Sequence, residues 1–373
     1  MGIRVALIGT GNCGSLALRQ LIEDARFDLT GVWVSSPAKV GKDAGELARL
    51  EVTTGVAAVN DMDAIIGAQP DCAVYCAMGD VRLVEAMADI RRLLEAGIDV
   101  VGSAPGVLQY PWGVIPDKYI DRVEAAARQG DSTVFITGVD PGFATDLLPF
   151  ALAGTCQSIS QIRTMEIADY ATYDGATVMF EVMGFGRPIA EESGDFPMLF
   201  QPGVLSIAWG TAIRQLAAGL GIEVDEITDS VEQEPAPEDL EIAAGRIAKG
   251  TVAALRFQIE GLVDGHPVIV VEHITRLRGD LRPDWAQPAQ EGGSYRVEIT
   301  GEPSYVMDIS PTSRNGDHNY AAILAAAGRI VNAIPDVVAA GPGIRTTLDL
   351  PLATGRGVYH RPRSGAGDPV PFE

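Results

Sequence analysis

The run Val5-Ala6-Leu7-Ile8 leads directly into Gly9-Thr10-Gly11-Asn12-Cys13-Gly14, and a helical pattern follows over residues 15–23. A GxGxxG string alone says little in a chain with 42 glycines among 373 residues. Set between a short buried strand and an amphipathic helix, it is the fingerprint of a dinucleotide-binding turn. The first glycine allows the turn, the second lets backbone approach a pyrophosphate, and the third lets helix and strand pack closely. The helix start adds free N–H groups for the anion. Residues 29–34 read as the second strand, and Ser35-Ser36-Pro37-Ala38-Lys39 follows it. An NAD-preferring fold usually places an acid there for the ribose hydroxyls. Two hydroxyls and the Lys39 ammonium suit a 2′-phosphate instead, so NADP(H) is expected over NAD(H).

Composition narrows the partners. The net charge is −22, from 28 Lys and Arg against 50 Asp and Glu, and nucleic-acid binding needs a basic footprint that such a chain lacks. No stretch reads as a membrane span of roughly 18 apolar residues, and no signal peptide precedes the first strand, so a cytoplasmic protein is expected. The four cysteines make no disulfide framework and read as small buried hydrophobes. His266, His273, His318 and His360 show no ligand spacing, so no metal is expected.

The first third alternates strands (72–77, 99–101, 133–137) with helices (45–50, 62–67, 81–96, 117–129). This is a doubly wound parallel α/β sheet of the Rossmann type, with ligand loops at the strands' carboxyl ends. Those loops hold Gly9 to Gly14, Ser35 to Lys39, Ala77-Met78-Gly79 and Ser103-Ala104-Pro105-Gly106. Residues 138–143, Gly-Val-Asp-Pro-Gly-Phe, read as a hinge. Consecutive strands over 162–167, 252–261, 266–275 and 295–300, with helices over 204–219 and 240–247, then indicate an α+β domain on a largely antiparallel sheet. Residues 232–239 and 282–293 read as surface loops. A helix over 319–333, ended at Ile334-Pro335, is expected to return to the first domain. The domains expected are therefore 1–140 for the dinucleotide, 141–315 for substrate and dimerisation, 316–359 for the returning helix, and a flexible tail, 360–373.

Several segments carry a resemblance. The glycine loop, Lys39-Val40-Gly41-Lys42-Asp43-Ala44-Gly45, Tyr110-Pro111-Trp112, Gly138 to Phe143 with Asp146, and Asn332-Ala333-Ile334-Pro335 together resemble the dihydrodipicolinate-reductase-like oxidoreductases. The similarity is to the branch of 2,4-diaminopentanoate dehydrogenase and the native amine dehydrogenases. It implies NAD(P)H, hydride transfer to a C=N or C=O group, and a dimer through the second domain. The chain departs from the pattern twice. Dihydrodipicolinate reductase carries Glu-x-His-His-x-x-Lys, whereas Glu166-Ile167-Ala168-Asp169-Tyr170-Ala171-Thr172 keeps only the glutamate. The glutamate that the amine dehydrogenase pattern places before Tyr-Pro is also absent, since Pro105-Gly106-Val107-Leu108-Gln109 has no acid.

Imine or ketone reduction needs a wall for the acceptor carbon and a group that manages charge or a proton at the heteroatom. Asp140 in the hinge is the first candidate, and it also fits a turn-stabilising role. Tyr173 and Glu166 follow. Phe143, Trp112, Phe180, Met183 and Trp209, with Asp169, are candidates for the substrate wall. Pro141, Gly142 and Asn332 join the loop residues as cofactor candidates. The expected activity is NADP(H)-dependent reduction of a small, mainly apolar carbonyl-derived substrate, with reductive amination foremost. A ketone or imine reductase without ammonia, or a silent dinucleotide sensor, fits the same residues.

Overall fold

The computed structural model of the chain describes residues 2–79, 82–189, 196–314 and 316–359; the tail expected over 360–373 lies outside them. β1 (Ile3–Ile8) buries both faces, with Val5 and Leu7 in one apolar layer and Ala6 and Ile8 in the other. A strand with no wet face belongs in a parallel sheet covered by helices on both sides. β2 (Phe27–Trp33), β3 (Ala58–Val59), β4 (Cys72–Tyr75), β5 (Asp99–Gly102) and β6 (Thr133–Ile136) pair with it in parallel, in the order β3-β2-β1-β4-β5-β6. The order reverses between β1 and β4, which opens a crevice at their carboxyl ends. Helices Asn12–Glu23 and His318–Val338 cover one face, and Leu83–Glu95 and Asp117–Gly130 the other.

The second sheet is built from β7 (Ser158–Asp169) and β8 (Glu226–Pro235), then, after a separate hairpin of β9 (Leu240–Ile242) and β10 (Gly245–Ile247), from β11 (Val252–Val263), β12 (His266–Arg276), β13 (Gly293–Glu302) and β14 (Tyr305–Ile309). Its order is β14-β13-β7-β12-β11-β8. Every pairing is antiparallel except β7 with β12. Helix Gly210–Leu220 lays Ala212, Ile213 and Leu216 against Phe257, Ile259 and Val271 of this sheet. The chain then returns through His318–Val338, and β15 (Gly343–Arg345) adds a seventh parallel strand beside β6.

Several expectations are corrected. Residues 240–247 form the β9–β10 hairpin and no helix, because half-buried Leu240 and Ile242 flank exposed Glu241 with the period of a strand. The acidic run expected as a loop over 232–239 is strand through Pro235, held by β11 on the sheet's rim. Helix 204–219 breaks at Trp209 into Val204–Ala208 and Gly210–Leu220. Pro335 does not stop its helix, which continues to Val338. That helix is also long and apolar enough to cross a membrane by length and composition, contrary to the sequence reading. Here it buries Ala327, Ile330, Val331, Ile334 and Val337 in the core of the parallel sheet.

The two sheets meet at Asp146, in the turn Phe143–Leu147 that follows β6. Its carboxylate is fully buried. It accepts from Gln109 Nε2 at 3.3 Å, Gln215 Nε2 at 3.4 Å and Thr347 Oγ1 at 2.7 Å. These three donors come from the parallel-sheet lobe, the helix on the second sheet and the returning C-terminal segment.

Candidate active site

The glycine loop separates packing from binding. Gly9 has φ of +94°, and a Cβ there would lie 2.6 Å from the Ala77 nitrogen. A Cβ on Gly14 would lie 1.9 Å from the Gly9 carbonyl oxygen. Both positions are fixed by the fold. A Cβ on Gly11 would meet nothing within 4 Å, so its missing side chain leaves space over the loop. Helix Asn12–Glu23 begins there with no side-chain cap, which leaves its first N–H groups for an anion. These residues fit a dinucleotide pyrophosphate. Lys39 reaches the same loop, its Nζ donating to the Thr10 carbonyl at 2.8 Å and to Thr10 Oγ1 at 3.1 Å. Ser35 is exposed after β2, and Ser36 precedes the short turn Pro37–Lys39. Ala77, Met78 and Gly79 follow β4, and Ser103 and Ala104 follow β5 at the same rim.

Beside this loop lies a cavity of about 350 Å³ between the two sheets. Its floor is one row of the second sheet. Tyr295 on β13 is level with Glu166 on β7, Glu166 with His273 on β12, and His273 with Phe257 on β11. Side chains alternate faces along a strand, so in-register neighbours share a face, and here it is the cavity face. Asp140 descends onto the row from the hinge. Its Oδ2 lies 2.9 Å from His273 Nε2, a close ionic approach without hydrogen-bond alignment. Its Oδ1 accepts from Trp209 Nε1 at 3.0 Å. Phe257 stacks on the His273 ring at 4.7 Å and 9°, and Trp209 meets it edge-on. Glu166 accepts from Tyr170 Oη and from the Tyr295 hydroxyl.

The electrostatics follow from burial. Burial raises Glu166 above the usual carboxylate range and the Asp140 charge adds to this, while His273 and the two tyrosine hydroxyls only partly offset it. Burial pulls His273 down, but Asp140, Glu166 and Glu272 more than compensate, so its pKa lies above the ordinary imidazole value. Burial and the Glu166 charge push Tyr170 and Tyr295 far up, keeping both as neutral donors. Donor atoms of Asp140, Glu166 and His273 lie within 4.8 Å of one another, a grouping that the search for metal-ligand spacing could not reveal. Each has a protein partner in place.

Among the residues singled out from sequence, Cys13, Ser103, Asp140, Pro141, Glu166, Tyr173, Met183 and Trp209 line this cavity. Beyond the loop residues already placed, Gly142 and five others lie outside its lining. Trp112 is 37% exposed and packs on Tyr110 at the surface. Asp169 turns back to accept from the Ala171 N–H at 2.8 Å, capping the bend after β7. Phe180 points at Gly186 and Gly245, towards the β9–β10 hairpin. Phe143 opens the turn Phe143–Leu147 outside the cavity wall. Asn332 accepts from Arg26 Nη2 at 3.2 Å, beneath the start of β2. It lies thirteen residues along the helix from Asn319 of the cavity, or about 20 Å at 1.5 Å per residue. A pattern in sequence cannot tell which end of a helix faces a ligand. Sequence reasoning also missed His273, Tyr170, Tyr295, Phe257, His318 and Asn319, all on the cavity wall. The period-two placement of Phe257, His273 and Tyr295 within apolar strands was visible, but their alignment required the register.

The model of the 2,4-diaminopentanoate dehydrogenase C-terminal domain matches residues 143–359, from the hinge through the second sheet and the returning helix. The chain is 38% identical over 364 residues to an amine dehydrogenase of Streptomyces virginiae, covering 97% of this chain and all of that one. The chain belongs to the family of 2,4-diaminopentanoate and amine dehydrogenases. Within the family it is also 27% identical to the 2,4-diaminopentanoate dehydrogenase of Acetoanaerobium sticklandii, over 94% of each chain. The solved amine dehydrogenase of Mycobacterium smegmatis shares its fold with a TM-score of 0.78 at 24% identity, covering 96% of this chain and 99% of that one. The biliverdin reductase of Synechocystis shares the fold more distantly, with a TM-score of 0.51 at 12% identity over 89% and 90% of the two chains. As a member of this family the chain is an oxidoreductase with a dinucleotide-binding lobe.

Proposed function

We propose that the chain is an NADP(H)-dependent amine dehydrogenase that interconverts a small, mainly apolar carbonyl compound and ammonia with the corresponding amine. One observation carries this reading: a buried group of two carboxylates and an imidazole lies on the floor of a mainly apolar cavity beside the glycine loop. Val178, Val182, Met183, Leu199, Phe257 and Ile323 supply apolar wall for a hydrocarbon body. Asp140 and Glu166 present negative charge where the nitrogen of such a substrate has to sit, and they replace the acid missing before Tyr110.

Gly9, Gly11 and Gly14 with the helix start would hold the pyrophosphate, and Lys39, Ser35 and Ser36 the 2′-phosphate. The bound dinucleotide would supply the hydride chemistry. The protein's own contribution is electrostatic. Asp140 is held in place by the Trp209 indole and lies against His273, so its carboxyl group is fixed facing the substrate nitrogen. Glu166, raised by burial, exchanges a proton nearer neutrality than an ordinary carboxylate, and the Tyr170 and Tyr295 hydroxyls orient it. The apolar wall excludes water from the reacting carbon.

The partners this reading requires are a small molecule and a second copy of the chain docked through the second sheet, in the cytoplasm, with no nucleic acid or membrane. NADPH oxidation with a panel of apolar ketones and aldehydes, with and without ammonium, tests it. Turnover that rises with ammonium and yields the amine supports the proposal. Turnover indifferent to ammonium would make the chain a carbonyl or imine reductase, and cofactor binding without turnover on any substrate would leave only a sensor.

A further inference from the structure

Cys13 is the second residue of helix Asn12–Glu23, inside the glycine loop, and its side chain lines the cavity. Cys76 is the first residue beyond β4, held by its N–H to the Ile8 carbonyl at 2.8 Å, level with the end of β1. The chain thus brings two thiols together across the switch point between β1 and β4. They are in side-chain contact, and Ser103 touches both. The backbones approach closely as well, since a Cβ built on Gly14 would lie 3.1 Å from Cys76 Cβ. Nothing in the proposed reaction uses either sulfur.

From this juxtaposition we infer that Cys13 and Cys76 form a reversible oxidative modification site, closing to an intramolecular disulfide that competes with dinucleotide binding. The two thiols differ in character. Contact with Cys76 and Ser103 lowers Cys13 despite its burial, and the helix start favours its thiolate. Contact with Cys13 and burial push Cys76 up, so it remains a thiol. Cys13 is therefore the attacking sulfur and Cys76 the resolving one. With hydrogen peroxide as oxidant, the Cys13 thiolate takes one oxygen and becomes a sulfenic acid, and the rest of the peroxide leaves as water after protonation. Cys76 sulfur then attacks Cys13 sulfur, the S–O bond breaks, and a second water departs. Two thiols and one peroxide give one disulfide and two waters. The bond draws the side chain of a loop residue towards β4 and shifts the N–H groups offered to the pyrophosphate. A bound dinucleotide, lying over Gly11 and Cys13, in turn shields the attacking sulfur.

The test uses the full chain, treated with hydrogen peroxide and digested without reduction. Mass spectrometry is expected to find the Cys13 and Cys76 peptides joined, two hydrogens lighter than their sum. Fully buried Cys72 serves as the protected reference and stays a thiol, and half-buried Cys156 reports oxidation that is not specific to the pair. Fluorescence titration is expected to show NADPH affinity at least tenfold weaker after oxidation and restored by dithiothreitol. Saturating NADP⁺ is expected to slow formation of the joined peptides. Cys76→Ser should abolish the joined peptides and trap Cys13 as a sulfenic acid, detected by a dimedone adduct, and its circular dichroism reports whether it folds. Separately alkylated Cys13 and Cys76 after oxidation, or a disulfide that leaves the NADPH titration unchanged, would overturn the inference.

Discussion

His273 and Glu166 sit level with each other across β7 and β12, the one parallel pair of the second sheet. In-register neighbours share a face whichever way their strands run, so both side chains reach the cavity floor under Asp140, as Tyr295 and Phe257 do from antiparallel strands.

Asp140→Asn keeps the shape of the side chain and removes its charge. Turnover is expected to fall by about 10²–10⁴-fold, the range for a general acid, base or charge partner. The NADPH titration should be unchanged, because Asp140 contacts Trp209 and His273 and no part of the glycine loop. Steady-state kinetics with normal turnover would reduce Asp140 to a turn residue.

His273 gives a pH signature in stability. Its folded pKa lies above the ordinary value because the carboxylates outweigh burial. A raised folded value means that the stabilisation is fully present below the unfolded pKa of about 6.5 and is lost as pH rises through the folded value. The gap in unfolding midpoint between the wild type and His273→Gln should therefore be widest near pH 5.5 and narrow towards pH 9. A gap constant across that range, measured by thermal melts in matched buffers, would rule out the charged pair.

Gly11 and Gly14 should respond oppositely. A Cβ at position 11 meets no protein atom within 4 Å, so the melting temperature of Gly11→Val should stay close to wild type while cofactor binding is lost. Gly14→Ala drives a methyl to 1.9 Å from the Gly9 oxygen and should lower the melting temperature itself. Calorimetry with NADPH titration separates the two, and a Gly11→Val variant that saturates normally would show that the loop binds no pyrophosphate.

Lys39→Ala should weaken NADPH and spare NADH. Loss of a charge-assisted contact to a 2′-phosphate costs on the order of 1–3 kcal/mol, or about 5- to 150-fold in affinity. Equal loss for both cofactors would mean that Lys39 only braces the Thr10 carbonyl it already holds.

The dimer proposal reads out as mass. Light scattering at micromolar concentration should give twice 39.4 kDa; the monomer mass alone would contradict it.

The first sheet was legible because its signals are local. An apolar strand, a glycine turn and an amphipathic helix each announce themselves within a dozen residues. The second sheet was legible in its long apolar strands and obscure at its rim, where β8 and β14 carry charge on half-exposed backbone. Asp140 and Glu166 could be singled out because one lies in a hinge and the other on a strand next to it. His273 could not, for its role depends on register with Glu166 and on a contact with a residue 133 positions earlier in the chain.

The buried Asp146 junction also sets where the two lobes are hardest to part. Behind the cavity, three hydrogen bonds converge on a carboxylate with no access to water. In front, where helix Asn12–Glu23 meets the bend after β7, Asn12 Nδ2 reaches Asp174 Oδ1 at 3.2 Å in the open. Separating the lobes at the rear would strip a buried carboxylate of its donors, whereas at the front Asn12 with Asp174, Thr172 with Asp317 and Asn319 with the Asp169 carbonyl are bonds nearer the surface that water replaces at less cost. The Asp146 end is therefore the costlier place to part the lobes, and Asp140 precedes it by only six positions in the chain.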